Sequence, residues 1–372
     1  SGAAAIVAAL LENVHGPAVA VCPGVERAEE LAEDINLFSP GAACFFPALE
    51  AAEADEEPDE EVLTARMAVL RHLALGAEAS EDQDDEEGRW LAPTPQTRLV
   101  TADACSFMQA TGRPDDIGGQ SRTVQQGDEV PPHELVEWLV DHGFHSVPRV
   151  ERPGQYCMRG GILDVYSHGS YRPVRLDFFG DTVDSIRQFE AGSQLSRQKV
   201  EQCKLMAPGG AAPSGDETST LLSFLPDDAP VFVVAPGQLS RRARELWDGE
   251  LAGTFALEPG EMWDALAARP GLTFGEPAAG RVDGSVHVAC REPDSFGPDL
   301  DAVLRELDRL LDDYSTVAVF CMSPAEEDRF RRMLQDREFE RTDELEFRRG
   351  RLNHGVLFQE AGLALVPHQR LF

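Results

Sequence analysis

Residues 152–190, RPGQYCMRGGILDVYSHGSYRPVRLDFFGDTVDSIRQFE, decide how the rest of the chain is read. An Arg-Pro-Gly turn opens the stretch, a strand-like run covers residues 156–166, and Ser167-His168-Gly169-Ser170 breaks it. A second run covers residues 173–179 and, after Gly180-Asp181, a third continues to Phe189, so the pattern predicts a three-stranded meander. Gly169 and its polar neighbours suit a longer hairpin loop, and Gly180-Asp181 suits a two-residue turn that needs positive φ. Alternation puts Val174, Leu176 and Phe178 on one face and Arg175, Asp177 and Phe179 on the other. Arg159 stands before Gly160-Gly161 on the neighbouring strand. Arginine beside an aromatic is the composition of interface hot spots. The same residues also suit a covered sheet, with Phe179 beneath a helix and the arginines solvated or paired with Asp177 and Asp181.

Outside this stretch, 372 residues suffice for two to four domains with real cores. The net charge of -33 argues against a self-sufficient nucleic-acid binder, because phosphate contacts need concentrated Lys and Arg. Lys199 and Lys204 are the only lysines, so arginine carries the cationic chemistry. The seven cysteines are scattered without CxxC spacing and read as reduced, mostly buried thiols of a cytoplasmic protein, forming neither a disulfide framework nor a zinc site. No apolar run reaches the ~18 residues that a membrane span needs. The chain lacks a Met start, and we expect it to be an excised piece of a longer protein.

Residues 1–112 read as α/β. Helical spacing over 6–11, 25–37 and 60–75 alternates with short apolar strands at 18–22, 42–46 and 98–101, which predicts a parallel sheet. In the third helix Val62, Leu63, Met67, Leu70 and either Leu73 or Ala74 form one stripe. The acidic run 77–88 has too little apolar surface to bury itself and reads as a solvated insertion. A P-loop needs glycines whose N–H groups cradle phosphates, a Lys that reaches them and a hydroxyl for Mg²⁺. Ser1-Gly2-Ala3-Ala4-Ala5 has small residues without the Lys, so nucleotide hydrolysis by these residues is not expected.

After a polar stretch at 191–197 and a return strand at 204–208, residues 209–217 read as a flexible link. A short helix at 219–225, a strand at 231–235 and helices at 239–251 and 260–270 follow, with Arg241, Arg242 and Arg244 on the polar side of the first long helix. Residues from about 288 read as a small α/β unit: a striped helix at 301–313, a strand at 317–321, Ser323-Pro324 opening a helix at 325–336, and a final strand at 362–366. No nucleophile elbow, HExxH zinc motif or Cys-His arrangement occurs, and Asp164, Asp177, Asp181 and Asp184 read as solvated or arginine-paired groups.

The segment 159–190 closely resembles the second domain of the transcription-repair coupling factor family, and less closely the equivalent domain of the excision-repair helicase UvrB. Gln126-Gly127-Asp128-Glu129, the amphipathic run 133–142 and residues 143–150 resemble the lead-in to that domain. The resemblance implies a UvrA-binding domain, with Arg159, Arg175 and Phe179 at the positions of UvrA-contacting residues and Arg187 added from its strand position. It also implies the fold class: a degenerate P-loop-like parallel-sheet α/β domain with an inserted, mainly antiparallel β (α+β) domain, followed by a small α/β domain. The expected boundaries are 1–112 and 208–285 for the two parts of the first domain, 113–207 for the inserted domain and 286–372 for the third. By the same resemblance these residues recruit UvrA and have no catalytic residues, cofactor or metal of their own. ATP and Mg, RNA polymerase, double-stranded DNA and an autoinhibitory contact with the motor domains belong to the full-length family protein. Two other readings are a UvrB-type helicase fragment, which needs ATP at the N-terminus, and an unrelated α/β enzyme on the same scaffold.

Overall fold

The computed structural model describes residues 2–49, 60–75, 92–119, 121–170, 172–207, 219–249, 255–275, 286–293 and 300–371. The acidic run and the link at 209–217 therefore lie outside the described residues. The first unit begins with α1 (Gly2–Leu11), β1 (Ala18–Cys22), α2 (Val25–Phe38), β2 (Ala43–Phe46), α3 (Glu60–Leu75), β3 (Leu99–Asp103), α4 (Ala104–Met108) and α5 (Pro114–Gly119). Strand β1 pairs in parallel with β3, and β3 with β2, as the strand–helix alternation predicts.

Both faces of this sheet are covered, because alternate residues of each strand enter different cores. Val19 and Val21 pack with α3 and α4, whereas Ala18, Ala20 and Cys22 pack with α1 and α2. Arg66 on α3 is fully buried, stacked 4.2 Å over the Phe46 ring and donating to the Pro47 carbonyl at 2.7 Å. Burial pushes its guanidinium down to about 9. The helix stripe read from sequence contains Met67 and Leu70, which are buried, but it omits this arginine.

The chain leaves the first sheet after β3, and Thr111 and Ser219, before and after the next group of strands, pair as an isolated bridge through hydrogen bonds of 2.8 and 3.0 Å. Between them lie β4 (Ser121–Gln125), α6 (Pro132–Asp141), β5 (His145–Ser146), β6 (Gln155–Arg159), β7 (Ile162–Tyr166), β8 (Val174–Phe179), β9 (Thr182–Phe189), β10 (Ser196–Val200) and β11 (Gln202–Met206). Strands β5 to β10 form one sheet in reverse spatial order, antiparallel except for β5 and β6. Its inner face, with Leu163, Val165, Leu176 and Ile186, packs on Leu135 and Leu139 of α6.

Three expectations are corrected here. The meander has four strands, because residues 156–166 fold back at Gly160-Gly161, where Gly160 takes φ +60°. The polar stretch at 191–197 already contains the start of edge strand β10. The return strand β11 leaves the main sheet and pairs with β4 as a separate two-stranded sheet.

Strand β12 (Val231–Val234) then pairs in parallel with β1, followed by α7 (Pro236–Trp247), α8 (Pro259–Ala267) and β13 (Gly271–Phe274), which extends the first sheet. The last unit contains β14 (Cys290–Arg291), α9 (Leu300–Asp313), β15 (Thr316–Cys321), α10 (Pro324–Asp336), β16 (Leu345–Arg349), β17 (Val356–Phe358) and β18 (Leu363–Pro367). Ser323 caps α10 by accepting from the Glu326 amide at 3.2 Å, as Ser-Pro predicts. This unit docks on α2 through Asn353, whose amide donates to Asp34 at 3.1 Å, and through Phe38 edge-on to Phe320.

The base of the meander rests on the first unit. Ser167 accepts from the Met206 amide at 2.6 Å, and a Cβ at Gly169 would lie 3.2 Å from Met67 of α3. Between them His168 is 6% exposed, its Nδ1 has no hydrogen-bond partner among the described residues, and burial with nearby His145 pushes its pKa down from 6.5 to about 4. The folded state therefore favours neutral His168. Its contribution is fully present above pH 6.5 and is lost as pH falls toward 4, when the unfolded chain takes a proton that the fold resists, costing up to about 3 kcal/mol. We expect His168→Leu to lose less stability than wild type between pH 6.5 and 4.5. Urea midpoints measured across that range check this, and parallel curves would assign the acid sensitivity to other groups.

Candidate partner-binding face

The outer face of the meander is built in register rows. Cys157, Asp164, Arg175, Arg187 and Lys199 stand directly opposite one another across β6 to β10, and Arg159, Ile162, Asp177 and Ser185 form the next row. Phe179 lies beyond them at the hairpin tip, opposite Thr182. The four residues expected from sequence therefore share one face and lie in adjacent rows.

Their surroundings differ. Asp164 is 3% exposed and receives Arg175 side-on, Nε to Oδ1 at 2.6 Å and a terminal nitrogen to Oδ2 at 2.9 Å. The Arg175 guanidinium also lies 4.6 Å over the Phe189 ring, and its pKa is raised, chiefly by the hydrogen bond to Asp164. This arginine is held by the protein on two sides. Arg187 meets Asp177 at 3.1 Å at a more exposed position, and Asp177 also accepts from Ser185 at 2.7 Å. Arg159 is exposed, with Nε 3.1 Å from Cys157 Sγ and a terminal nitrogen 2.8 Å from the Pro148 carbonyl.

Phe179 is 84% exposed, which overturns the reading that buries it beneath a helix. The helix of this unit, α6, covers the opposite face. The tip that carries Phe179 is fixed: Gly180 takes φ +64°, Val130 donates to the Asp181 carbonyl at 2.7 Å, and Phe178 donates to the Gly161 carbonyl at 2.7 Å. A register shift between Asp177 and Phe178 makes Asp184 an extra residue on β9, a bulge that increases local twist. Gly161 is required by close approach, since a Cβ there would lie 3.0 Å from the Phe178 carbonyl.

Sequence reasoning grouped Asp164 with solvated or arginine-paired acids and did not single out its burial beneath Arg175. It also passed over Ile162, which is 40% exposed. The signal for both was the Gly160-Gly161 turn: once it is placed, Asp164 falls opposite Arg175 and Ile162 opposite Asp177. Elsewhere, burial pushes the thiols of Cys22 and Cys203 up to about 12 and that of Cys44 higher still, so these sulfurs are poor nucleophiles. Among the described residues no cluster of His, Cys, Asp or Glu has the arrangement of a metal site, and no helix is long and apolar enough to cross a membrane.

A mainly antiparallel sheet lies between the two parts of a parallel α/β unit and carries an exposed aromatic on the same face as its arginines. Residues 123–208 match the family described as the UvrB interaction domain. The flanking chain is a parallel-sheet α/β unit, and about half of the whole chain is similar in sequence to transcription-repair-coupling factors. It is 26% identical over 204 residues to the transcription-repair-coupling factor of Escherichia coli (strain K12), covering 55% of this chain and 16% of that protein. It is 30% identical over 211 residues to that of Myxococcus xanthus, covering 53% and 16%. To UvrABC system protein B of Pseudothermotoga lettingae it is 26% identical over 104 residues, covering 28% and 15%. The chain thus spans about one sixth of the length of the coupling factors it matches.

The geometry separates holding from exposed residues. Arg175→Ala leaves the Asp164 carboxylate buried without its cation and should destabilise the fold by about 2 to 4 kcal/mol. Phe179→Ala removes a ring already in water and should change stability by less than about 0.5 kcal/mol. Urea denaturation of both variants checks this, and equal losses would refute the distinction.

Proposed function

We propose that this chain recruits UvrA in transcription-coupled nucleotide excision repair, and that its contact surface is the outer face of the meander, with Phe179, Arg159 and Arg187 as the contacting groups and Arg175 as the residue that fixes the platform. The observation that carries this is the rigidly held, 84% exposed Phe179 flanked by arginines within the span that matches the UvrB interaction domain. Exposed aromatics of this kind are retained at interfaces, where Arg and Phe anchors supply most of the binding energy. In this reading the ATP-driven translocase, RNA polymerase and double-stranded DNA contacts belong to other parts of a longer, cytoplasmic protein. The described module would hold neither ATP nor Mg, since the sequence at 1–5 lacks the phosphate-binding lysine. Domain limits of 1–112 with 208–285, 113–207 and 286–372 remain the division we propose.

Calorimetry with purified UvrA tests the recruitment reading. Wild type should bind at micromolar affinity or tighter, and Phe179→Ala should weaken binding by roughly 1 to 4 kcal/mol, about fivefold to nearly a thousandfold. Wild-type binding that Phe179→Ala leaves untouched would place the surface elsewhere. Mg-ATP should leave the melting temperature unchanged, whereas a bound ligand at 100 times its dissociation constant would stabilise by about 2.7 kcal/mol and favour the helicase alternative.

A further inference from the structure

We infer that Ile162 belongs to the same recognition surface, forming with Phe179 an apolar ridge that fits a partner surface made of an apolar socket rimmed by carboxylates. This rests on the recruitment reading above and specifies the chemistry of the partner's half.

Among the described residues, four large apolar side chains of the meander unit are well exposed: Val140, Ile162, Phe179 and Leu195. Val140 belongs to α6, on the far side of the sheet, and Leu195 lies in the connection between β9 and β10. Ile162 and Phe179 alone share the outer face at one end of it. Ile162 stands opposite Asp177, and Phe179 follows two residues later along β8. The glycine turns leave the ridge unshielded, since a side chain at Gly160 or Gly180 would meet nothing within 4 Å. The tips are also stitched together by the Phe178–Gly161 hydrogen bond, so docking orders little additional backbone.

The charges beside the ridge are mixed: Asp177 and Arg159 stand on either side of Ile162, and Asp181 follows Phe179 at the tip. Arg175 is taken up by Asp164 and Arg187 is shared with Asp177, whereas Arg159 is held by a sulfur and a carbonyl. Lys199, opposite Arg187, extends the cationic row to the edge strand. An apolar surface alone would leave the Arg159 charge desolvated without compensation, so the socket must carry carboxylates at its rim.

Binding of UvrA to Ile162→Ala, Ile162→Val, Phe179→Ala, Leu195→Ala and Val140→Ala should be compared at low and raised salt, with melting temperatures as the folding control. We expect Ile162→Ala to bind about fivefold or more weakly and Ile162→Val, Leu195→Ala and Val140→Ala to stay within about twofold of wild type. Arg159→Gln should flatten the salt dependence. Loss of binding in Phe179→Ala with Ile162→Ala indistinguishable from wild type would overturn this inference and leave the recruitment reading standing. A wild-type chain that does not bind would overturn both.

Discussion

A carboxylate taken out of water requires a cation, and the outer sheet face is organised around that requirement. Asp164 is nearly inaccessible, and Arg175 on the next strand meets both of its oxygens. The pair sits in the row running from Cys157 to Lys199, so it fixes strand register as well as charge. A slip of one residue would carry Asp164 into the core now filled by Leu163 and Leu176, and would turn Phe179 inward. The aromatic is therefore exposed because the buried ion pair permits no other register. Residues that hold a surface and residues that touch its partner separate on physical grounds, even where they sit side by side.

The hairpin tip follows from the same economy of backbone. Two glycine turns bring the tips of β7 and β8 close enough for a direct hydrogen bond, and residues 127–130 bind the tip of β9 from the other side. Leaving a phenylalanine in water forgoes roughly 2 kcal/mol of burial. A rigid tip does not let the ring fold back to recover it. Such a ring is poised for association, because little conformational entropy remains to be lost when it is covered.

Much of this was legible in the sequence, for reasons that can be named. The parallel sheet followed from apolar runs such as AVAVC, buried on both faces, alternating with helical stripes, and the sorting of Arg175 and Phe179 to one face followed from alternation along VRLDFF. The Gly160-Gly161 pair is itself a hairpin signal, and reading residues 156–166 as one continuous strand passed over it. Strands β13, β16 and β17 carry little distinctive pattern of their own, and pairing with already placed neighbours defines them. Exposure of Phe179 could not follow from alternation, which separates two faces without saying which one a helix covers.

The charge of the whole chain gives this face its selectivity. With a net charge of -33, the protein repels nucleic acid at long range. On this face the rows hold a small cationic excess, with Arg159, Arg175, Arg187 and Lys199 against Asp164 and Asp177. At physiological salt the field of that small excess decays within about 8 Å, so it acts only once surfaces nearly touch. A protein with a few carboxylates placed around an apolar hollow would meet the cations and the ridge together. On the recruitment reading proposed above, the face suits a compact protein partner better than a nucleic-acid backbone.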